Sequence, residues 1–242
     1  MNYNNELNFG TTMTRDRELS MSQAFPVLMR KVYVWMTLAL VITGVTAYGV
    51  ANSPGIISTL YSNSALMWGL LIAELALVIG ISAAINKLSL TTATLLFVLY
   101  SAINGVVLSS VFLIYTASSI ASVFFITAGT FAVMAFVGYT TKTDLTSMGK
   151  MLLMALIGLI IASLVNVFLV KSTGFDLIIS YVGVLIFVGL TAYDSQKIKQ
   201  MLQMAPDAGE ASQKLALLGA LSLYLDFINL FIYLLRILGK RE

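Results

Sequence analysis

Between short polar stretches the chain runs apolar for about twenty residues at a time, the length that crosses a bilayer's hydrocarbon core as a helix, and seven such runs can be marked. They extend from near Val32 to Val50, Leu66 to Ile85, Thr92 to Tyr115, Ile120 to Tyr139, Met151 to Val170, Leu177 to Ala192 with a helical extension, and Leu215 to Leu238. Inside lipid every backbone amide must be satisfied within its own segment or by closure of a barrel. Barrel strands alternate apolar and polar positions, whereas these runs are unbroken. The pattern predicts an all-α polytopic membrane protein with seven transmembrane helices.

The flanks of the runs set domain limits and orientation. Residues 1–31 are polar, carry Arg15, Arg17, Arg30 and Lys31, and lack a small-residue cleavage pattern, so they read as a cytoplasmic N-terminal tail and not as a signal peptide. Residues 32–238 form the transmembrane domain and 239–242 a short C-terminal tail. Lys87, then Lys142 and Lys150, then Lys197, Lys199 and Lys214 fall around the second, fourth and sixth connections, and the first and third have no basic residue. Positive charge stays on the cytoplasmic side, which places the N-terminus inside. Seven crossings then put Arg236, Lys240 and Arg241 outside, with Lys171, against that rule, so a re-entrant final segment stays open.

Composition agrees and narrows the chemistry. Of 242 residues, 59% are hydrophobic and 10% charged, and the mean hydropathy is +0.92. With no cysteine and no histidine, disulfides, thiolate chemistry, ordinary zinc sites and serine–histidine triads are excluded. The net charge of +3 is scattered between apolar runs instead of forming a stripe, so it reads as topology and no nucleic-acid partner is expected. No Asn-x-Ser/Thr acceptor occurs, in keeping with a bacterial inner membrane.

What remains is carboxylate, amide and lysine chemistry, and two acids stand out. Asp194 and Asp226 lie in the sixth and seventh runs, separated by a turn at Pro206-Asp207-Ala208-Gly209-Glu210. The two helices therefore form a hairpin. Counted from Ala208 the acids stand fourteen and eighteen residues away, a depth difference of roughly 6 Å, one helical turn. Carboxylates in hydrocarbon are costly enough that they face a protein interior or a watered cavity. On the seventh helix Ser222, Asp226, Asn229 and Tyr233 share one face, and on the sixth Ser180, Gly183 and Thr191 share a face with Asp194. Two carboxyls in one site cannot both ionise cheaply, so such a pair is a proton switch, and its fully ionised form would separate or recruit a hard cation such as calcium, with Asn229 or water completing the ligands. The alternative is that each acid is satisfied separately, or that Asp194, near Lys197, marks the membrane edge. Glu74 and Arg236 both fall in the outer half of the membrane and are candidates for an ion pair there; otherwise Glu74 is protonated and Arg236 snorkels. Lys87 could reach the Asp194 side or serve only as a positive-inside residue.

The segments Phe187-Val188-Gly189-Leu190-Thr191-Ala192-Tyr193-Asp194-Ser195-Gln196-Lys197 and Leu223-Tyr224-Leu225-Asp226-Phe227-Ile228-Asn229-Leu230-Phe231, in this order and setting, resemble the transmembrane Bax inhibitor motif family, most closely its bacterial members. The resemblance covers nearly the whole membrane part. It implies seven helices with the last one surrounded by the others, and a pH-sensitive calcium leak controlled by two aspartates, here Asp194 and Asp226. It also implies salt-bridge latches, to which Glu74 and Arg236 correspond by position, and a basic residue at the first aspartate, to which Lys87 corresponds, without an arginine's forked donors.

The function expected is thus a proton-regulated cation leak, with calcium as the transported ion, no resident cofactor and no enzymatic activity. Three rivals are weighed. An intramembrane aspartyl protease also pairs acids on neighbouring helices, one of them in Tyr-Asp as in Tyr193-Asp194, but it needs Gly-x-Gly-Asp at the second, where this chain has Leu223-Tyr224-Leu225-Asp226. A proton-coupled exchanger would show inverted repeats or broken helices, and the three prolines all lie outside the apolar cores. A non-transporting scaffold would place its sensitive positions on exposed faces.

Overall fold

The computed structural model describes residues 3–241, with side chains from Leu19 onward except that of Tyr61. Arg15 and Arg17, counted above toward the N-terminal charge, lie outside the described side chains. Among the described residues nine α-helices follow one another: α1 (Tyr3–Ala51), α2 (Pro54–Ser62), α3 (Ser64–Ala84), α4 (Leu90–Leu108), α5 (Val111–Ile114), α6 (Ala117–Thr140), α7 (Thr146–Val165), α8 (Thr173–Gln203) and α9 (Glu210–Leu238). Seven helical stretches are long and apolar enough to cross a membrane, α4 running on into α5 and α7 into a π-helical turn over Asn166–Val170.

Local chemistry sets where the helices begin. Asn63, Ser89, Thr116 and Ser172 accept backbone N–H groups of Leu66, Thr92, Ser119 and Phe175, capping α3, α4, α6 and α8. Pro54 opens α2, where its missing N–H costs nothing. The polar N-terminal stretch does not end where the apolar run begins. Helix α1 passes unbroken through Pro26 and across 31 and 32, and Ala24 and Leu28 are buried in the bundle.

Helix α9 is the axis. It packs against α8, α1, α6 and α4, and 67% of its most apolar stretch is buried, against 6% for α3, which packs chiefly on α4. A helix this enclosed can hold a polar group without exposing it to lipid. It also crosses completely: near its start Glu210 accepts the Leu90 N–H at 2.9 Å, and just beyond its end Lys240 donates its N–H to Ser119 Oγ at 2.9 Å and accepts that of Thr116 at 3.1 Å. The first contact lies at the α3–α4 connection and the second at the α5–α6 connection, on opposite ends of the bundle. The final helix runs unbroken from one end of the bundle to the other, long and apolar enough to cross a membrane.

Candidate functional site

The α8–α9 hairpin brings the two acids to one place. Asp194 and Asp226 line a single cavity of about 280 Å³, together with Ser222, Asn229 and Tyr233. The polar stripe read from the periodicity of the last helix is therefore the wall of this cavity. Leu153, Leu156 and Ile160 of α7 line its outer side. Asp226 is 4% exposed, and its Oδ2 is buried without a hydrogen-bond donor. Such an orphaned acceptor costs about 1–3 kcal/mol.

Asp194 has a second exposure. It also lines a neighbouring cavity of about 230 Å³ with Ser82, Lys197 and Met201, and Ser222 and Leu225 border both spaces. Asp194, Ser222 and Leu225 thus form the partition between a cavity that reaches toward the α8–α9 turn and one that holds Asp226. Lys197, one turn from Asp194, is the cation on the turn side. Lys87 is exposed in the α3–α4 connection and lines neither cavity.

At the far end the cavity is walled by Tyr233. The Tyr233 ring stacks on Phe187 with centroids 5.9 Å apart, and it lies on Gly183, where an added Cβ would stand 2.7 Å from the ring. Beyond it Arg236 meets Asp176 at 3.2 Å and lies 5.7 Å from the Tyr233 ring centre. Of the two readings open for Glu74 and Arg236, the ion pair is not formed. Glu74 belongs to α3, at the edge of the bundle, and its carboxyl lies against Asn104 of α4, whereas Arg236 is within reach of the first turn of α8. Asp176 is not singled out by the sequence pattern: from Ala208, Asp176 is 32 residues back and Arg236 28 forward, a one-turn offset opposite in sign to that between Asp194 and Asp226, so the pair forms through the reach of the long arginine side chain. The Glu74 cluster has orphans of its own, Glu74 Oε1 and Asn104 Oδ1. Beside it the Tyr224 hydroxyl is satisfied by Thr43 at 2.7 Å.

As a metal site the acid cavity is sparse. Among the described residues no three acidic or other ligating side chains cluster. Two carboxylates remain, with Asn229, whose Nδ2 donates to Leu225 O at 2.8 Å and so leaves its amide oxygen for a cation. Oxygen ligands suit calcium, but too few are present to replace its six to eight.

A family model described as "Inhibitor of apoptosis-promoting Bax1" matches residues 26–242. The chain is 52% identical over 215 residues to the inner membrane protein YbhL of Escherichia coli (strain K12), covering 88% of this chain and 92% of that protein. It is 51% identical over 214 residues to an uncharacterized protein of Borreliella burgdorferi, with 88% and 92% covered, and 42% identical over 234 residues to the uncharacterized protein RP147 of Rickettsia prowazekii, with 96% and 97% covered.

Proposed function

The chain belongs to the Bax inhibitor family and is an integral membrane protein, and from that premise we propose that it is a passive, proton-regulated cation leak whose cargo is calcium. The observation that carries the reading is the position of Asp194 on the partition between two cavities, with the orphaned carboxyl of Asp226 on the far side. Two carboxyls facing one small space are coupled through their charge. While they hold a proton the partition stays packed; when both ionise, repulsion drives them apart and a hydrated divalent cation offsets the charge. The Arg236–Asp176 bridge and the Tyr233–Phe187 stack close the pathway at the other end. Opening requires both to move.

The relative from Escherichia coli is named an inner membrane protein, and by that likeness this chain resides in a bacterial inner membrane. Lys87, Lys142, Lys197 and Lys199 gather at the end that carries the α1 N-terminal half, which supports a cytoplasmic side there. A leak is favoured over a protease because Leu223 and Tyr224 are fully buried and Tyr224 is engaged with Thr43, leaving no extended groove for a peptide beside Asp226.

The test is calcium entry into proteoliposomes across about pH 5 to 8, where a coupled carboxyl pair can titrate, comparing wild type with Asp194→Asn and Asp226→Asn. Downhill flux that rises with pH in wild type and loses that dependence in either variant is the expected result. Both variants keeping wild-type flux at every pH would remove the aspartates from the mechanism. No flux through folded wild type would remove the leak.

A further inference from the structure

On the other side of α9 the bundle is laterally open. Helices α1 and α6 both pack on α9 but hardly on each other, and a groove runs between them with Phe227, Ile228 and Phe231 of α9 along its floor. It consists of two cavities that share Leu40, Phe124 and Phe227. One, of about 630 Å³, extends toward Arg30 and Tyr139; the other, of about 280 Å³, extends toward Ala47 and Ala117. From Arg30 to Ala47 is 17 residues of helix, about 26 Å and so close to a hydrocarbon thickness. Alanines 128, 132 and 135 of α6 give the larger cavity its depth.

We propose that the larger cavity is a binding site for an anionic phospholipid of the leaflet at the Arg30 end, with an acyl chain lying in the groove and the headgroup phosphate held by Arg30. An apolar space of this size does not fill with water, and in a bilayer the material at its open side is lipid. At the Arg30 end the groove changes character. Tyr33 and Tyr139 stand at its mouth, the depth at which aromatic residues meet headgroups. Arg30 is exposed and forms no ion pair with any acid among the described residues. Lys199 brings a second positive charge, donating to Tyr139 O at 2.8 Å with its ammonium 4.9 Å from that ring's centre. A guanidinium's fork matches a phosphate's oxygens, and a second cation without a neighbouring acid favours a headgroup with net negative charge.

The full-length protein would be reconstituted in equimolar phosphatidylglycerol and phosphatidylethanolamine, extracted gently, and its retained lipid identified by native mass spectrometry. Phosphatidylglycerol should be retained preferentially, and Arg30→Gln should cut that preference about fivefold, the worth of one basic residue at an anionic surface. Lys171→Gln, at the opposite end, should leave it unchanged. Ala132→Trp, which fills the groove, should release the lipid altogether; if that variant does not fold, Ala128→Leu narrows the same cavity and should weaken retention. Equal retention of the two lipids by wild type, or a preference that Arg30→Gln leaves untouched, would overturn the proposal. Displacement of the lipid by soluble glycerol phosphate would also overturn it, because the acyl chain would then contribute nothing.

Discussion

Asp226 and Phe227 are neighbours in sequence and about 100° apart on α9, and they open onto opposite worlds. Asp226 faces a small cavity with a second acid, an amide and a hydroxyl. Phe227 faces a wide apolar groove, with its ring 5.4 Å from Phe124 and 5.5 Å from Phe131. The comparison teaches how one helix can serve two media. Helix α9 is enclosed by α1, α4, α6 and α8, so both sides are buried, the polar one beside a small cavity lined by α7 and α8 and the apolar one on the floor of the groove between α1 and α6.

Moving the acid across that divide should give the largest effect. Phe227→Asp puts a carboxyl in the lipid-facing groove, at a cost of about 3 kcal/mol, the penalty of an acid at the centre of a membrane helix, besides the lost ring contacts. Reversible unfolding in bicelles should show the variant destabilised by at least that much. Unchanged stability would mean that the groove is watered and that the two faces are alike.

Gly183→Ala tests the roof of the polar side. The new Cβ would stand 2.7 Å from the Tyr233 ring, so the ring must leave its stack on Phe187 or the helices must part, and overpacking of this kind costs about 1–3 kcal/mol. A smaller loss when Gly183→Ala is made in a Tyr233→Leu background than in wild type would identify Tyr233 as the group that yields. No loss of stability would show that the ring is already mobile, and that the Arg236–Asp176 bridge alone closes this end.

Much of the polar side was legible in the sequence. Period 3.6 grouped Ser222, Asp226, Asn229 and Tyr233, and the turn at Ala208 fixed the depth of Asp194 against them; both arguments are local to one hairpin. The partner of Arg236 was missed because Glu74 has a suitable depth but belongs to a helix that packs elsewhere, and depth says nothing about which helices are neighbours. The groove left no trace at all. Its residues are as apolar as those of a packed interface, and only the gap between α1 and α6, a property of how the helices cross, makes them a cavity. The extent of α1 escaped for a related reason: Ala24 and Leu28 lie in a polar stretch, and their burial depends on what the bundle offers them.

A smaller effect of opposite sign is expected at Asp226 itself. Asp226→Leu replaces a buried carboxyl whose Oδ2 has no donor, and removing such an orphan should stabilise the protein by about 1 kcal/mol while abolishing the pH response of flux. The same unfolding measurement as for Phe227→Asp applies. A loss of stability instead would mean that the carboxyl is satisfied in the bilayer by water or a bound ion, which would make the cavity wet in its resting state.

The last prediction separates the acid pair from an acid that lies outside the membrane. Asp144, exposed in the α6–α7 connection, accepts the Thr146 hydroxyl at 2.6 Å and its N–H at 2.9 Å, and these bonds hold its carboxyl below the usual aspartate range. A carboxyl depressed in the folded state contributes stability above its unfolded value, and that contribution is lost as pH falls through the folded one. Asp144→Asn should therefore flatten the acid limb of the stability profile, below the range in which flux is followed. The flux profile itself should not move, because Asp144 touches neither cavity. A shift of the flux profile in Asp144→Asn would place the pH response at the membrane surface and take it away from the face of α9 that carries Asp226.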